Sequence, residues 1–519
     1  MNFSDPDKQR AIAMWGLALC LTAAAAGWMF MRFGMAWSVA DLPESSNIDY
    51  IVPAYIIAEV TMIPMGGKLI DIYGTRRMLA IAPVIFIAAS MACILSVSVE
   101  MLVVFRFVQG IGAGLTLAIA YTAVGRYYPI TKRGRVSELM TAAFAVGSLF
   151  GSATGYFFTE NFNWRFGFLA FALMMAVGFV IAWRFLPEDE GSKRKTDVAS
   201  LAIATIVFGV ATAYTQLVNV DFDLLSIPSA VIAALIIVGV VGLIMHSKRS
   251  ENPTIPVGIS VFEKKVLILM FVFSLCGLGL IQYFFKLYLT YYEFDIYTAS
   301  MMFWLLIAGA AGPSMIGSRK VFKTGVRPWV VIGSIIVTVS LVITHFIASQ
   351  GTLYFGISLF LFGFGLGFIV NQLICALQAI SPREDMGQHT GNLMAVRMVG
   401  ILVGNAIVGA YIRDVVQSNY VSVPIDLSSV QNLLKEIGGK FANDISEAAS
   451  SLNDGFMVSI LFMSIITALL AVLSYTLKAD DKEAVEGSEE ERTTFRGDGA
   501  PRLGPHPQTP SAAGKEEEG

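Results

Sequence analysis

Apolar residues along this chain gather into runs of twenty or more, parted by short polar segments. About 20 consecutive apolar residues cross a bilayer as a helix. Runs of that kind lie near 12–39, 49–66, 78–98, 101–126, 136–158, 166–186, 198–218 and 226–246. Six more lie near 265–291, 298–317, 329–348, 353–378, 391–412 and 456–477. The pattern predicts an all-α integral membrane protein with fourteen transmembrane helices, and the even number places both termini on one side. The first run exceeds the roughly 7–15 residues of a secretory signal core, so it reads as an uncleaved first span.

Two segments fall outside the runs. Residues 413–455 form a long external loop whose "VQNLLKEIGGKFANDISEAASSL" has helix-like spacing, as an interfacial hairpin lid or as an ordinary solvated loop. Residues 479–519 are polar, rich in Glu, Pro and Gly, and read as a disordered cytoplasmic tail.

Charge then orients the spans. One set of loops carries Lys8 and Arg10, Lys68, Arg76 and Arg77, and Arg126, Lys132, Arg133 and Arg135. The same set continues with Lys193 to Lys195, Lys248 and Arg249, Lys264 and Lys265, Arg319 to Arg327, and Arg383. The alternate loops are poor in Lys and Arg, so the basic set is cytoplasmic by the positive-inside rule. Both termini are therefore expected on the cytoplasmic side of a cell membrane, plasma or inner.

Composition agrees. The chain of 519 residues is 55% hydrophobic and only 14% charged, against about a quarter charged in soluble proteins. Cys20, Cys93, Cys276 and Cys375 all fall within apolar runs and read as small buried residues. The spans contain no metal-ligand cluster and no nucleophile–base spacing. No cofactor, no metal, no nucleic-acid partner and no enzymatic activity are expected, and the chain reads as a monomer.

The second and third spans are joined by "GGKLIDIYGTRRM" (Gly66 to Met78), and the tenth and eleventh by "GSRKVFKTGVRPW" (Gly317 to Trp329). The second copy keeps the glycines and basic residues but lacks the acid. This weak repeat divides the chain into a six-helix half at 1–190, two inserted helices at 191–250 and a second six-helix half at 251–478.

These residues resemble a known family. "GGKLIDIYGTRR" is similar to the loop signature of the major facilitator superfamily, and "RFVQGIGAG" to its fourth-helix motif at Arg106, Gln109, Gly110, Gly112 and Gly114. "GSLFGSATGY" resembles the antiporter motif, and "NWRFGF" the W-R-x-x-F that follows it. Together with fourteen spans they point to the fourteen-helix drug:proton antiporters, the multidrug efflux branch. The resemblance implies a major facilitator fold, with proton-coupled efflux of amphipathic organic compounds by alternating access. Ser152 stands where the antiporter motif has proline, and Gly34 where the first helix of this branch has an acid. A proton symporter or facilitator for an organic anion or zwitterionic metabolite is therefore the alternative.

Polar residues inside spans are candidate functional groups by default. Glu59 lies about nine residues into the second span, roughly 14 Å deep at 1.5 Å per residue, where a carboxyl can exchange a proton or serve as a structural ion-pair partner. Arg32 falls at a similar level, either as the partner of Glu59 or snorkelling to the outer headgroups. With Arg106 these form the expected proton-coupling set. Substrate contacts are expected from Arg32, Glu59 and Gln109 in the first half, and from Gln282, Tyr283, Asn371 and Gln372 in the second. An arginine-containing cavity admits anionic and zwitterionic substrates as readily as cationic ones. Gating is expected from Asp71 against Arg76, Arg77, Arg126 and Arg135, with Gly74 at the turn. Gly147 and Gly151 give a close-packing face, and Arg397 matches a family arginine nearer the cytoplasm.

Overall fold

The structure, a computed structural model, describes residues 5–38, 42–43, 47–189, 191–192, 197–218, 226–250, 252–255, 261–275, 296–347, 352–419, 460–461, 463–475 and 477. Every element among them is a helix. The first six are α1 (Pro6–Ser38), α2 (Ile51–Tyr73), α3 (Thr75–Ile94), α4 (Val99–Tyr127), α5 (Ile130–Asn161) and α6 (Arg165–Phe185). Next come α7 (Val198–Leu217) and α8 (Ile227–Arg249). The rest are α9 (Val261–Ser274), α10 (Ile296–Thr324), α11 (Arg327–Ile347), α12 (Thr352–Gly367), α13 (Val370–Ile380) and α14 (Met386–Asn419), with α15 at Met463–Tyr475. By length and composition, ten helical segments among the described residues can cross a membrane.

Local chemistry sets several ends. Ser98 accepts the Met101 amide to start α4, and Asp197 accepts the Ser200 amide to start α7. Gly74 alone separates α2 from α3, at φ 89°, a left-handed conformation that glycine adopts without a steric penalty.

The helix pairing repeats along the chain. In the first six helices α1 packs on α5, and α2 and α3 both pack on α4; later, α9 packs on α14, and α10 and α11 both pack on α12. The two sets meet through α2 against α14 and α5 against α10, a swapped pair of contacts that a pseudo-two-fold arrangement produces. The small face expected on α5 is used within the first set. A Cβ on Gly147 would stand 2.3 Å from the Thr22 carbonyl oxygen, and one on Gly151 2.2 Å from that of Ala26. The α7–α8 hairpin sits outside this core: α7 leans on α2 and α14, while α8 packs mainly on α7 and leaves most of its apolar surface uncovered.

Two expected boundaries change. The twelfth span is not one helix but two, α12 and α13, with a tightened turn in which the Phe368 and Ile369 amides bond to Gly365 and Leu366 carbonyls at 3.1 and 3.0 Å. Glycines at 363, 365 and 367 weaken the helix there. They also bring its backbone close, since Gly363 and Gly367 press on the Leu306 and Ala310 carbonyls of α10. The thirteenth span continues to Asn419, so the loop expected from residue 413 begins with helix. Residues 420–455 of that loop, the tail at 479–519, and Gln282 and Tyr283 lie outside the described residues.

Candidate functional site

Three places stand out in this apolar molecule, two polar clusters and a cavity. The first is enclosed by α2, α3 and α4. The glycines of "GIGAG" decide it: a Cβ on Gly110 would lie 2.3 Å from the Tyr55 carbonyl oxygen, and one on Gly114 2.2 Å from that of Glu59. A Cβ on Gly112 would lie 2.6 Å from the Phe86 amide of α3. Backbone contact on both sides of α4 thus seals the polar groups inside. Arg106 is fully buried, with its guanidinium carbon 4.2 Å from the centre of the Tyr55 ring. It donates to Gln109 Oε1 at 2.7 Å, and Gln109 donates to Ser90 Oγ at 2.8 Å. Glu59 is buried and its Oε1 has no hydrogen-bond partner; Arg106 Nε and Nη2 have none either. Glu59 and Arg106 act on each other through space.

The side chain of Arg32 lies outside the described residues. Gln109, expected as a substrate contact, is buried with Arg106 on its Oε1 and Ser90 on its Nε2.

The second place lies at the basic-loop end, where α2 meets α14. Asp71 accepts Arg126 Nη2 at 2.7 Å on Oδ1. The same carboxylate accepts the Gly387 amide at 2.8 Å and the Gln388 amide at 2.6 Å. These amides belong to the first turn of α14, whose free N–H groups and positive dipole end favour an anion. The backbones touch here as well: a Cβ on Gly67 would stand 2.2 Å from the Gly387 carbonyl oxygen. Lys68 adds Asn252 Oδ1 at 2.6 Å and Gln388 Oε1 at 3.1 Å. Arg133 of α5 bonds the Gln378 carbonyl of α13, and Gln378 Nε2 donates to the Tyr121 carbonyl at 3.1 Å. The two sets of helices are closed on each other at this end.

Arg126 also reaches Asp189 at 2.7 Å. Asp189 in turn accepts the Thr75 amide at 2.8 Å and the Arg76 amide at 3.2 Å, capping α3 from outside the helix. Burial pushes the Asp189 carboxyl up, but Arg126 and Thr75 outweigh it and hold its pKa below the ordinary carboxylate value. Among the basic residues expected to face Asp71, only Arg126 does. Arg76 pairs with Glu188 and lies over the Trp183 ring, and Arg77 and Arg135 are exposed. The sequence reading missed Asp189, which the "PEDE" segment after the sixth span carries, and the α14 amides, which no side-chain pattern reveals.

The third place is a cavity of about 180 Å³ between the two sets of helices. Trp28, Thr141, Phe144 and Ser148 line it from one set, and Leu306, Ser314, Val370, Asn371, Arg397 and Ile401 from the other. Glu138 lines it too and was not foreseen as a site residue. Asn371 donates to Ser314 Oγ at 3.1 Å and sits in the first turn of α13, which the broken helix turns toward the cavity. Gln372, next in sequence, is fully buried with its amide against Gly317 and does not line the cavity. Arg397, the arginine that matches the family's, lines the cavity. Glu59 and Arg106 do not line it; they are enclosed by α2, α3 and α4 of the first set.

Comparison with known proteins gives a consistent picture. The sequence model of the Major Facilitator Superfamily matches residues 12–405. The multidrug transporter protein MdtP of Bacillus subtilis (strain 168) is 25% identical over 427 residues, covering 79% of this chain and 77% of that protein. Multidrug resistance protein 3 of the same organism is 24% identical over 402 residues, covering 76% and 78%. In fold, the chain is similar to the proton:xylose symporter XylE, with a TM-score of 0.61 at 13% identity over 94% of this chain and 100% of that one. It is likewise similar to the human organic anion transporter MFSD10, with a TM-score of 0.60 at 13% identity over 91% and 100%.

Proposed function

The chain belongs to the Major Facilitator Superfamily, a family of membrane transporters and not of enzymes, and from that premise we propose that it exports amphipathic organic compounds in exchange for protons. Such proteins sit in the lipid bilayer and bind small-molecule substrates. In this reading fourteen helices span a plasma or inner membrane, both termini are cytoplasmic, and the protein works as a monomer. Residues 1–190 and 251–478 form two halves that rock about the central cavity, with the helices of 191–250 inserted between them.

The observation that carries the reading is the Asp71 lock. Its carboxylate belongs to the first half and holds the N-terminus of a helix in the second. A contact of this kind exists in one state of a rocking pair and is lost in the other, which is the two-state element that alternating access needs. With the basic-loop end closed, the cavity between the halves is cut off from that side. Its volume is below the roughly 300–1,000 Å³ of drug-sized sites, so admitting such a substrate requires the halves to part at the opposite end.

Proton exchange falls to Glu59. It is the buried carboxyl of the first half that no hydrogen bond on Oε1 commits to one protonation state, and the charge of Arg106 acts on it. Ionised, Glu59 compensates the guanidinium; protonated, it leaves Arg106 to Gln109 and the Tyr55 ring. Because Arg106 reaches Ser90 of α3 through Gln109 and stacks on α2, that exchange alters forces between three helices of one half.

Purified protein in liposomes carrying an internal pH dye tests this reading. Outward movement of an amphipathic dye should release protons to the compartment the dye leaves, and Glu59→Gln should abolish that coupling while dye binding persists. Proton entry together with substrate would instead establish symport. Coupled transport unchanged by Glu59→Gln at every imposed gradient would remove Glu59 as the carrier.

A further inference from the structure

Arg397 is the feature that the transport cycle above leaves unused. It is 8% exposed, its Nε is buried without a partner, and its guanidinium makes no hydrogen bond or ion pair among the described residues. Yet it lines the cavity between the halves. An unpaired buried cation is unfavourable by several kcal/mol. Every other arginine placed in a site here has a partner: Arg106 has Gln109, and Arg126 has Asp71 and Asp189. Glu138, the carboxylate of the cavity wall, is itself engaged. The cation of the wall without a hydrogen-bond or ion-pair partner among the described residues is Arg397.

The rest of the wall describes the other end of a ligand. Trp28 and Phe144 form an aromatic pair with ring centroids 5.8 Å apart on the first-half side. Leu306, Val370 and Ile401 close the second-half side. Asn371 Oδ1 is buried without a partner while its Nδ2 is held by Ser314, so one acceptor near the cavity also waits for a donor.

We propose that this cavity is an organic-anion site: Arg397 takes the carboxylate or sulfonate of an amphipathic compound whose aromatic body lies against Trp28 and Phe144. The guanidinium fork suits a planar or trigonal array of oxygens, which it can bind with two parallel hydrogen bonds. The proposal rests on the transporter reading above and narrows its substrates to anions.

Two permanently charged probes with the same ring system test it, naphthalene sulfonate and naphthyl trimethylammonium. Titrated into the detergent-solubilised protein, the sulfonate should bind at least about tenfold more tightly than the ammonium, in keeping with a charge-assisted hydrogen bond. Arg397→Gln should lose that preference and Arg397→Lys should retain part of it. Equal affinities of the wild-type protein for the two ions, or sulfonate binding unchanged in Arg397→Gln, overturns the anion site. The wild-type comparison decides the matter even where the glutamine variant fails to fold. Transport in proteoliposomes separates the two layers of the argument. Sulfonate that binds but never moves under any pH gradient sinks the exporter reading and leaves the anion site standing. Ammonium that moves while sulfonate neither binds nor moves does the reverse.

Discussion

The Asp71 carboxylate of α2 accepts the backbone amide of Gln388, in the first turn of α14, at 2.6 Å. The two residues lie 317 positions apart in the chain, and the bond joins a side chain of the first set of helices to a helix terminus of the later one. Removing the carboxylate leaves Arg126 to Asp189 alone and two α14 amides without their acceptor, a loss of about 1–3 kcal/mol for hydrogen bonds left unmade. Asp71→Ala is expected to shift the population toward the state open at the basic-loop end. In a background lacking the native cysteines, a Ser314→Cys reporter in the cavity should then react several-fold faster with an impermeant maleimide added from that end. An unchanged rate would show that Asp71 does not hold the halves together.

Two glycines with the same steric margin should fail in different ways. A Cβ at Gly114 would sit 2.2 Å from the Glu59 carbonyl oxygen within one half, and a Cβ at Gly67 would sit 2.2 Å from the Gly387 carbonyl oxygen between halves. Overpacking of this kind is unfavourable by about 1–3 kcal/mol. Gly114→Ala is therefore expected to lower the thermal unfolding midpoint. Gly67→Ala should instead relieve its clash by parting the halves, leaving the midpoint close to wild type while raising the maleimide reactivity of Ser314→Cys. A similar loss of midpoint in both would contradict the distinction.

Glu59 and Arg106 should behave as one unit. Arg106→Gln removes the cation whose field acts on the buried Glu59, and Glu59→Gln removes the carboxyl whose field acts on the buried Arg106. The double variant is expected to be less destabilised than the sum of the two, with a coupling of about 0.5–3 kcal/mol in a double-mutant cycle of unfolding free energies. Additive effects would mean that the two groups do not sense each other.

Asp189 sets an acid limit on the closed end. Its folded pKa is held below the ordinary value of about 3.9, chiefly by Arg126 against the opposing effect of burial. A carboxylate so held stabilises the folded protein above the unfolded pKa, and that contribution disappears as pH falls through the folded one. Asp189→Asn is expected to lower stability at neutral pH by about 1.5–3 kcal/mol. The wild-type and variant unfolding curves should converge only at pH values below the usual carboxylate range. A constant gap across the acid range would show that the carboxylate charge plays no part.

The spans, the family and the polar candidates were legible in the sequence because a bilayer leaves little freedom. A run of apolar residues near 20 has one use, a charged residue inside it is conspicuous, and the loop and fourth-helix motifs repeat local backbone requirements. Glu59, Arg106, Asp71 and Arg126 therefore stand out in the sequence as charged residues in or beside apolar runs. Their partners do not. Periodicity is weak in helices apolar on every face, so the sequence did not say that Gln109 faces Ser90 and Arg106, or that Gln372 turns from the cavity while Asn371 lines it. The break at Phe368 and Ile369 was masked by a hydropathy that stays high across it.

What the sequence determined alone is the set of helices and the expensive groups they carry, since these follow from the transfer of each residue between water and lipid. Tertiary structure decided which of those groups meet. The Asp71 lock depends on amides that every residue possesses and on a helix end hundreds of residues away. The unpaired state of Arg397 depends on what the neighbouring helices fail to offer it. A residue's chemistry is written in its own side chain, but a missing partner is a property of the surroundings, and only the packed molecule has those.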